Sequence, residues 1–320
     1  LAQRYAGELS IVVVDDHSDD GTAAVVRQLV DQNVSRTVSV LSASALPAGW
    51  TGKLWAIQQG IAHIERAVDL SEFILLTDAD ICYADGALTH LVGRALKDDL
   101  VLTSFMAKLR CESAAERLLI PAFIFFFQML YPFSWVARID KRTAAAAGGC
   151  MLIRRNALNN AGGVAAIRSA LIDDCSLARN LKQQGAIWLG LTDRVVSLRA
   201  YPSTKSIRQM VARTAYAQLK FSPALLALTV ILMSITYLAP PLVLLVGPPL
   251  AKICAAAAWA AMALLFQPTL RFYRVSPWYG LMLPAIAAFY LMFTLESAYQ
   301  HFQGRNAEWK GRVYPREAMK

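Results

Sequence analysis

The chain has 320 residues, 56% of them hydrophobic and 17% charged, with a formal net charge of +9 and a mean hydropathy of +0.39. That is room for about two domains, and it excludes a disordered chain, a coiled coil and a basic nucleic-acid arm; no nucleic-acid partner is expected. The charge is uneven: residues 1–222 carry 24 Lys/Arg and 20 Asp/Glu, residues 223–299 three basic and one acidic, and residues 300–320 five basic and two acidic.

The chain opens without Met and runs from polar residues straight into a strand, with no signal peptide visible. The expectation is that an earlier strand of the first domain is missing from this sequence. Leu9–Val14 is a short β-branched run ending in Asp15-Asp16, which predicts a buried parallel strand. His17–Thr22 is turn chemistry, and a helix follows through Val30. Val38–Leu41 predicts a second strand, Gly52–Arg66 a helix, and Glu72–Thr77 a third strand ending in Asp78-Ala79-Asp80. Strand–helix alternation predicts an α/β fold with a mostly parallel sheet. Ligands of such sheets bind outside the carboxyl ends of the strands, where both acidic pairs sit.

Leu118–Ala137 is an uncharged run of 20 residues. A true crossing would part Asp80 from Asp174, so two readings stand: a segment in the membrane interface, suited by Pro121, Pro132 and its aromatics, or a buried core helix. Beyond Lys220, the uncharged runs to Lys252, from Ile253 to Leu270 and from Val275 to Leu295 are each long enough to cross a bilayer. The expected organisation is a domain over 1–222, transmembrane helices over 223–299 and a basic tail over 300–320. Three spans would put that tail outside, against the preference of Arg305, Lys310, Arg312, Arg316 and Lys320 for the cytoplasm. Either one run is re-entrant or the tail departs from the rule. The five cysteines form no CxxC pair and the four histidines no zinc spacing, which suits a reducing compartment.

Asp78-x-Asp80 at a strand tip lets two carboxylates reach one ligand, and hard cations such as Mg²⁺ or Mn²⁺ want oxygen ligands shared with phosphates. No GxxxxGK[ST] and no GxGxxG occurs. Asp173 alone reads as the N-cap of a helix over Cys175–Gln184, with Asp174 in its favourable first turn; a catalytic carboxylate is the other reading.

Five segments in order carry a resemblance. Val14–Thr22 resembles the VDDxSxDGT segment of family 2 glycosyltransferases, and Asp78-Ala79-Asp80 their metal-binding DxD. Gly148–Arg155 resembles their acceptor-side strand, Ile172-Asp173-Asp174 their catalytic-base motif, and Gln209 with Arg213, spaced one residue wider, the front of their QxxRW motif. Within the family, Pro47–Ala56 and Trp309–Arg312 resemble the hopene-associated enzymes of bacterial hopanoid gene sets; ceramide glucosyltransferases are more distant relatives.

The resemblance implies a GT-A-type domain at the cytoplasmic side of the bacterial inner membrane. It implies an inverting hexosyltransferase that uses Mg²⁺ or Mn²⁺ to move a sugar from a UDP-sugar to a lipid hydroxyl, a hopanoid among the candidates. By the same resemblance Asp15, Asp16, Lys53, Asp78, Asp80, Gln209 and Arg213 bind the nucleotide-sugar, Asp80 and Asp78 the metal, and Asp174 takes the acceptor proton. Thr214 stands where the family has Trp, which counts against the alternative of a processive polysaccharide synthase. The intact acidic positions count against the other, a non-catalytic membrane partner.

Overall fold

The computed structural model describes residues 3–32, 37–66, 71–304, 308–309 and 312–313. The chain divides into two compact units, one built from Leu1–Lys108 with Tyr131–Leu198, the other from Leu109–Leu130 with Arg199–Arg316.

In the first unit, β1 (Ser10–Asp15) leads through a turn to α1 (Thr22–Gln32), whose start is held by Asp20: its carboxylate accepts from the Thr22 N–H at 3.0 Å. β2 (Thr37–Ser42) lies parallel to β1, with Ser10 opposite Thr37 and Asp15 opposite Ser42. α2 (Gly52–Ile64) begins at the N-cap Thr51 and packs on β1. Gly60 permits the approach, since a Cβ there would stand 3.2 Å from a Val14 methyl. Then come β3 (Phe73–Leu76), β4 (Ile81–Tyr83), α3 (Ala87–Lys97) and β5 (Leu102–Lys108). Next in chain order are α4 (Ala114–Leu130), which belongs to the other unit, α5 (Phe133–Val136), β6 (Met151–Arg154) and α6 (Arg155–Asn160). α7 (Asp173–Leu181) and β7 (Ile187–Ser197) complete the unit.

The main sheet runs β3-β6-β5-β7-β4. It is mixed, not mostly parallel. Only β5 and β7 pair parallel; β6 runs antiparallel to both β3 and β5, and β4 antiparallel to β7. The reason is the path of the chain: β6 enters the sheet from the opposite end to its neighbours. β1 and β2 form a parallel pair of their own. α3 covers the sheet with Ala87, Leu91 and Ala95, spaced one helical turn apart, against Phe105, Leu152 and Val195. Burying Leu91 completely contributes about 1.5–3 kcal/mol.

In the second unit, α8 (Thr204–Ala212) starts in a capping box made by Ser203 and Ser206, and α9 (Ala215–Gln218) follows. α10 (Pro223–Met233), a π-helical turn over Ser234–Leu238 and α11 (Ala239–Val246) form one continuous helix of 24 residues. α12 (Pro249–Tyr273) has 25 residues. By length and composition these two are apolar enough to cross a membrane. The third uncharged run forms a 3₁₀ turn and α13 (Leu283–Phe302), whose Leu283, Ile286, Ala287 and Phe293 are buried inside the unit. β8 (Glu308–Trp309) and β9 (Arg312–Val313) pair antiparallel. Arg305, Lys310, Arg316 and Lys320 of the basic tail lie outside the described residues, as does the side chain of Arg312.

The run expected to be interfacial or core becomes α4 and α5, broken at Pro132. Leu119, Ile120 and Ile124 of α4 are buried, and its aromatics meet the long helices: Phe125 lies 5.1 Å from Phe266 and Phe126 5.0 Å from Tyr290. Near the start of α4, the buried Glu116 accepts backbone N–H bonds from Glu112 at 2.9 Å, Ser113 at 2.8 Å and Tyr201 at 2.6 Å. Burial alone would raise its pKa, but these three donors outweigh it and hold the carboxyl below its usual range. A depressed folded value means this stabilisation is present above the ordinary carboxyl range and is lost as pH falls through the lowered value. Glu116→Gln turns an amide N–H toward those donors, at a cost of about 1–3 kcal/mol. Melting temperatures from pH 3 to 8 should show the deficit at neutral pH and its disappearance in acid; parallel curves would refute the assignment.

Candidate functional site

Three acidic segments lie in the first unit. Asp15 closes β1, and its carboxylate accepts from the Ser18 N–H at 3.3 Å, tightening the turn; Asp16 follows, half-buried. Asp78 and Asp80 lie in the turn between β3 and β4. Asp173 and Asp174 occupy the first turn of α7, whose N-cap is Ile172. Asp173 is therefore inside the helix, not its cap, and both carboxylates lie at the favourable end of the helix dipole.

Lys53, in the first turn of α2, joins the second and third of these segments. Its Nζ lies 2.9 Å from Asp78 Oδ1 and 3.0 Å from Asp173 Oδ2. Asp174 Oδ2 accepts from the Gly148 N–H at 3.0 Å and Oδ1 from the Cys175 N–H at 2.7 Å. A Cβ at position 148 would stand 3.1 Å from Lys53 Nζ and 3.6 Å from Asp174 Oδ2, so any larger residue there would have to displace the lysine head. Burial disfavours the ammonium form of Lys53, but the Asp173, Asp78 and Asp174 carboxylates outweigh it and hold its pKa above the usual lysine range. Burial and the neighbouring Asp173 charge push Asp174 up to about 6, against the opposing pull of Lys53 and the two N–H donors. A carboxylate near 6 is mostly ionised at neutral pH, yet basic enough to take a proton.

The Asp80 carboxylate makes no ion pair or hydrogen bond among the described residues; the Asp80 carbonyl accepts from the Leu198 N–H at 2.8 Å and fixes the turn. Among the described residues no three His, Cys, Asp or Glu side chains gather to hold a metal ion by themselves. The donor set does suit a hard cation that takes one or two carboxylates and completes its shell with phosphate oxygens and water. Gln209, exposed on α8, and Arg213, at its C-cap, lie in the second unit.

A family of sequences described as glycosyltransferase like family 2 matches residues 1–217. The chain belongs to glycosyltransferase family 2. The enzyme is a glycosyltransferase with a GT-A-like α/β unit and a mixed sheet. Among solved structures, it is similar to glucosyl-3-phosphoglycerate synthase from Mycobacterium tuberculosis in complex with phosphoglyceric acid. The identity is 14%, with 66% of this chain and 79% of that chain covered and a TM-score of 0.30. No curated protein matches.

Two members of the glycosyltransferase's candidate site escape a reading of the sequence. Asp173 reads there as a helix cap, although it is the second anion on Lys53. Gly148 reads as part of a strand, although its N–H donates to Asp174. The adjacency of two acids at a helix start was the available signal for the first. The Gly-Gly pair just before β6 was the signal for the second.

Proposed function

We propose that this glycosyltransferase is inverting and metal-dependent, and that it moves a sugar from a UDP-sugar to the hydroxyl of a membrane lipid, a hopanoid among the candidates. The setting is the cytoplasmic face of a bacterial inner membrane. One observation carries the reading: Lys53 ties Asp78, of the donor-side acidic turn, to Asp173, beside the candidate base Asp174. Donor and acceptor chemistry thus share one cleft. In this reading Asp15 and Asp16 hold the nucleotide, and Lys53 is the point charge for the diphosphate. Asp80 and Asp78 hold Mg²⁺ or Mn²⁺, which when bound would neutralise the leaving diphosphate. Asp174 takes the proton of the attacking hydroxyl from the face opposite the leaving group. Gln209 and Arg213 are assigned to the diphosphate or the acceptor by sequence pattern alone. The two long apolar helices support a lipid acceptor, and Thr214 in place of Trp supports a single transfer over polymer synthesis.

The test is release of nucleoside diphosphate from a panel of UDP- and GDP-sugars by the full chain in nanodiscs, with Mn²⁺, with and without bacterial lipid extract. Lipid-stimulated release from one donor is expected, and the modified lipid names the acceptor. Long polymer would overturn the single-transfer reading. Asp80→Ala should abolish the Mn²⁺-dependent part of UDP binding in calorimetry; equal UDP binding with and without Mn²⁺ in the wild type would sink the metal assignment.

A further inference from the structure

Tyr83 ends β4, opposite Val195 of β7, and its ring packs against the core between the sheet and α3. A phenylalanine would fill that space equally well, so the hydroxyl has another use. It donates to Thr77 Oγ1 at 2.9 Å, and Thr77 Oγ1 donates to the Gly149 carbonyl at 3.0 Å; Tyr83 Oη itself lies 3.2 Å from that carbonyl. Thr77 directly precedes Asp78, and Gly149 directly follows Gly148. Gly149 also abuts the first residue of β4, just past the Asp78–Asp80 turn, since a Cβ at Gly149 would come within 2.9 Å of Ile81 Cδ1. From below, Ser104 Oγ accepts from the Ala147 N–H at 2.9 Å and donates to the Cys150 carbonyl at 2.9 Å.

We infer that the Tyr83 and Thr77 hydroxyls are positioning groups for sugar transfer: they clamp the Gly148–Gly149 turn to the Asp78–Asp80 turn and so hold the Asp174 carboxylate in place relative to the donor. The inference rests on Asp174 being the base. Around Asp174 stand Asp173 on its own helix, Lys53 from α2, and Cys175 and Tyr131, which face each other. The clamp adds no charge to that set. It acts only through the Gly148 N–H, which favours the ionised carboxylate.

The test uses the full chain in nanodiscs, with whichever UDP-sugar of the panel turns over with bacterial lipid extract. Tyr83→Phe and Thr77→Val should melt within about 4 °C of wild type. Their kcat should fall roughly 10- to 100-fold with donor KM within about twofold. The acid limb of the kcat–pH profile should move to higher pH, a readout that a mere loss of folded enzyme leaves in place. Thr77→Ser should restore the wild-type profile. An acid limb unmoved in both variants, or a Thr77→Ser as impaired as Thr77→Val, overturns the clamp. Residual turnover of Asp174→Asn that keeps the acid limb overturns the base assignment and the clamp with it. A limb lost in Asp174→Asn but unmoved in Tyr83→Phe and Thr77→Val overturns the clamp alone.

Discussion

Asp174→Asn is expected to lower kcat by about 10²- to 10⁴-fold, the range supplied by a positioned general base. The substitution keeps the shape of the side chain and removes its basicity. Asp174 does not pair with the donor-side carboxylates, so UDP-sugar affinity should stay within about twofold of wild type. The wild-type rate should fall as pH drops through about 6, where the buried carboxyl takes up its proton. One amide N–H of the variant must face either the Gly148 or the Cys175 N–H. That conflict costs roughly 1–3 kcal/mol of stability, so melting should be followed beside single-turnover transfer and calorimetric donor binding. Full turnover in a folded variant would refute the assignment.

Lys53→Met should act on both halves of the cleft. The stem is retained and the charge is lost, which leaves Asp78 and Asp173 without their shared cation. Hydrogen bonds to charged groups contribute about 1.5–3 kcal/mol, so donor affinity should weaken by about 10- to 150-fold. Lys53 also opposes the rise in the Asp174 pKa. Without it the carboxyl should titrate higher, kcat at neutral pH should drop, and part of the rate should return at alkaline pH. The stability deficit should grow as pH rises, because the clustered carboxylates then repel with no counter-charge, and shrink in acid as they take up protons. A pH-rate profile, a melting series and donor titration check all three. Unchanged donor affinity would show that Lys53 balances protein charge only.

The acidic tips were legible because each is a local pattern: an apolar run that stops at two carboxylates, as at Val14-Asp15-Asp16 and Leu76-Thr77-Asp78. The helices over residues 22–32 and 52–64 were legible from their turn signals and periodicity. The direction of the strands was not. β5 is buried along nearly its whole length, yet Thr103 and Ser104 interrupt its apolar residues, so neither a continuous apolar run nor an alternation marks it. β4 has three residues, too few for any period. Nothing in Met151–Arg154 records that it will lie antiparallel between β3 and β5, because chain direction is set by the loops that carry it there. The ion pairs of Lys53 join residues far apart in sequence, and a lone lysine followed by apolar residues carries no mark of its distant partners. Asp173 was misplaced by one position, since the helix begins after Ile172 and takes both acids into its first turn.

The wide turn at Ser234–Leu238 changes how the first long apolar helix should be read. The Ala239 N–H bonds the Ser234 carbonyl, five residues back, just before Pro240 and Pro241, which have no N–H to offer. A turn with one residue too many throws the rows of side chains out of phase by about 100°. A row of side chains along α10 therefore does not continue along α11; it resumes a quarter-turn or more around the axis. Tyr237 is buried while Ile235, in the same turn, and Leu242, beyond it, stand exposed. A helical wheel drawn through all 24 residues superimposes two unrelated faces, and deleting one residue of the wide turn would swing every side chain beyond it onto a different neighbour.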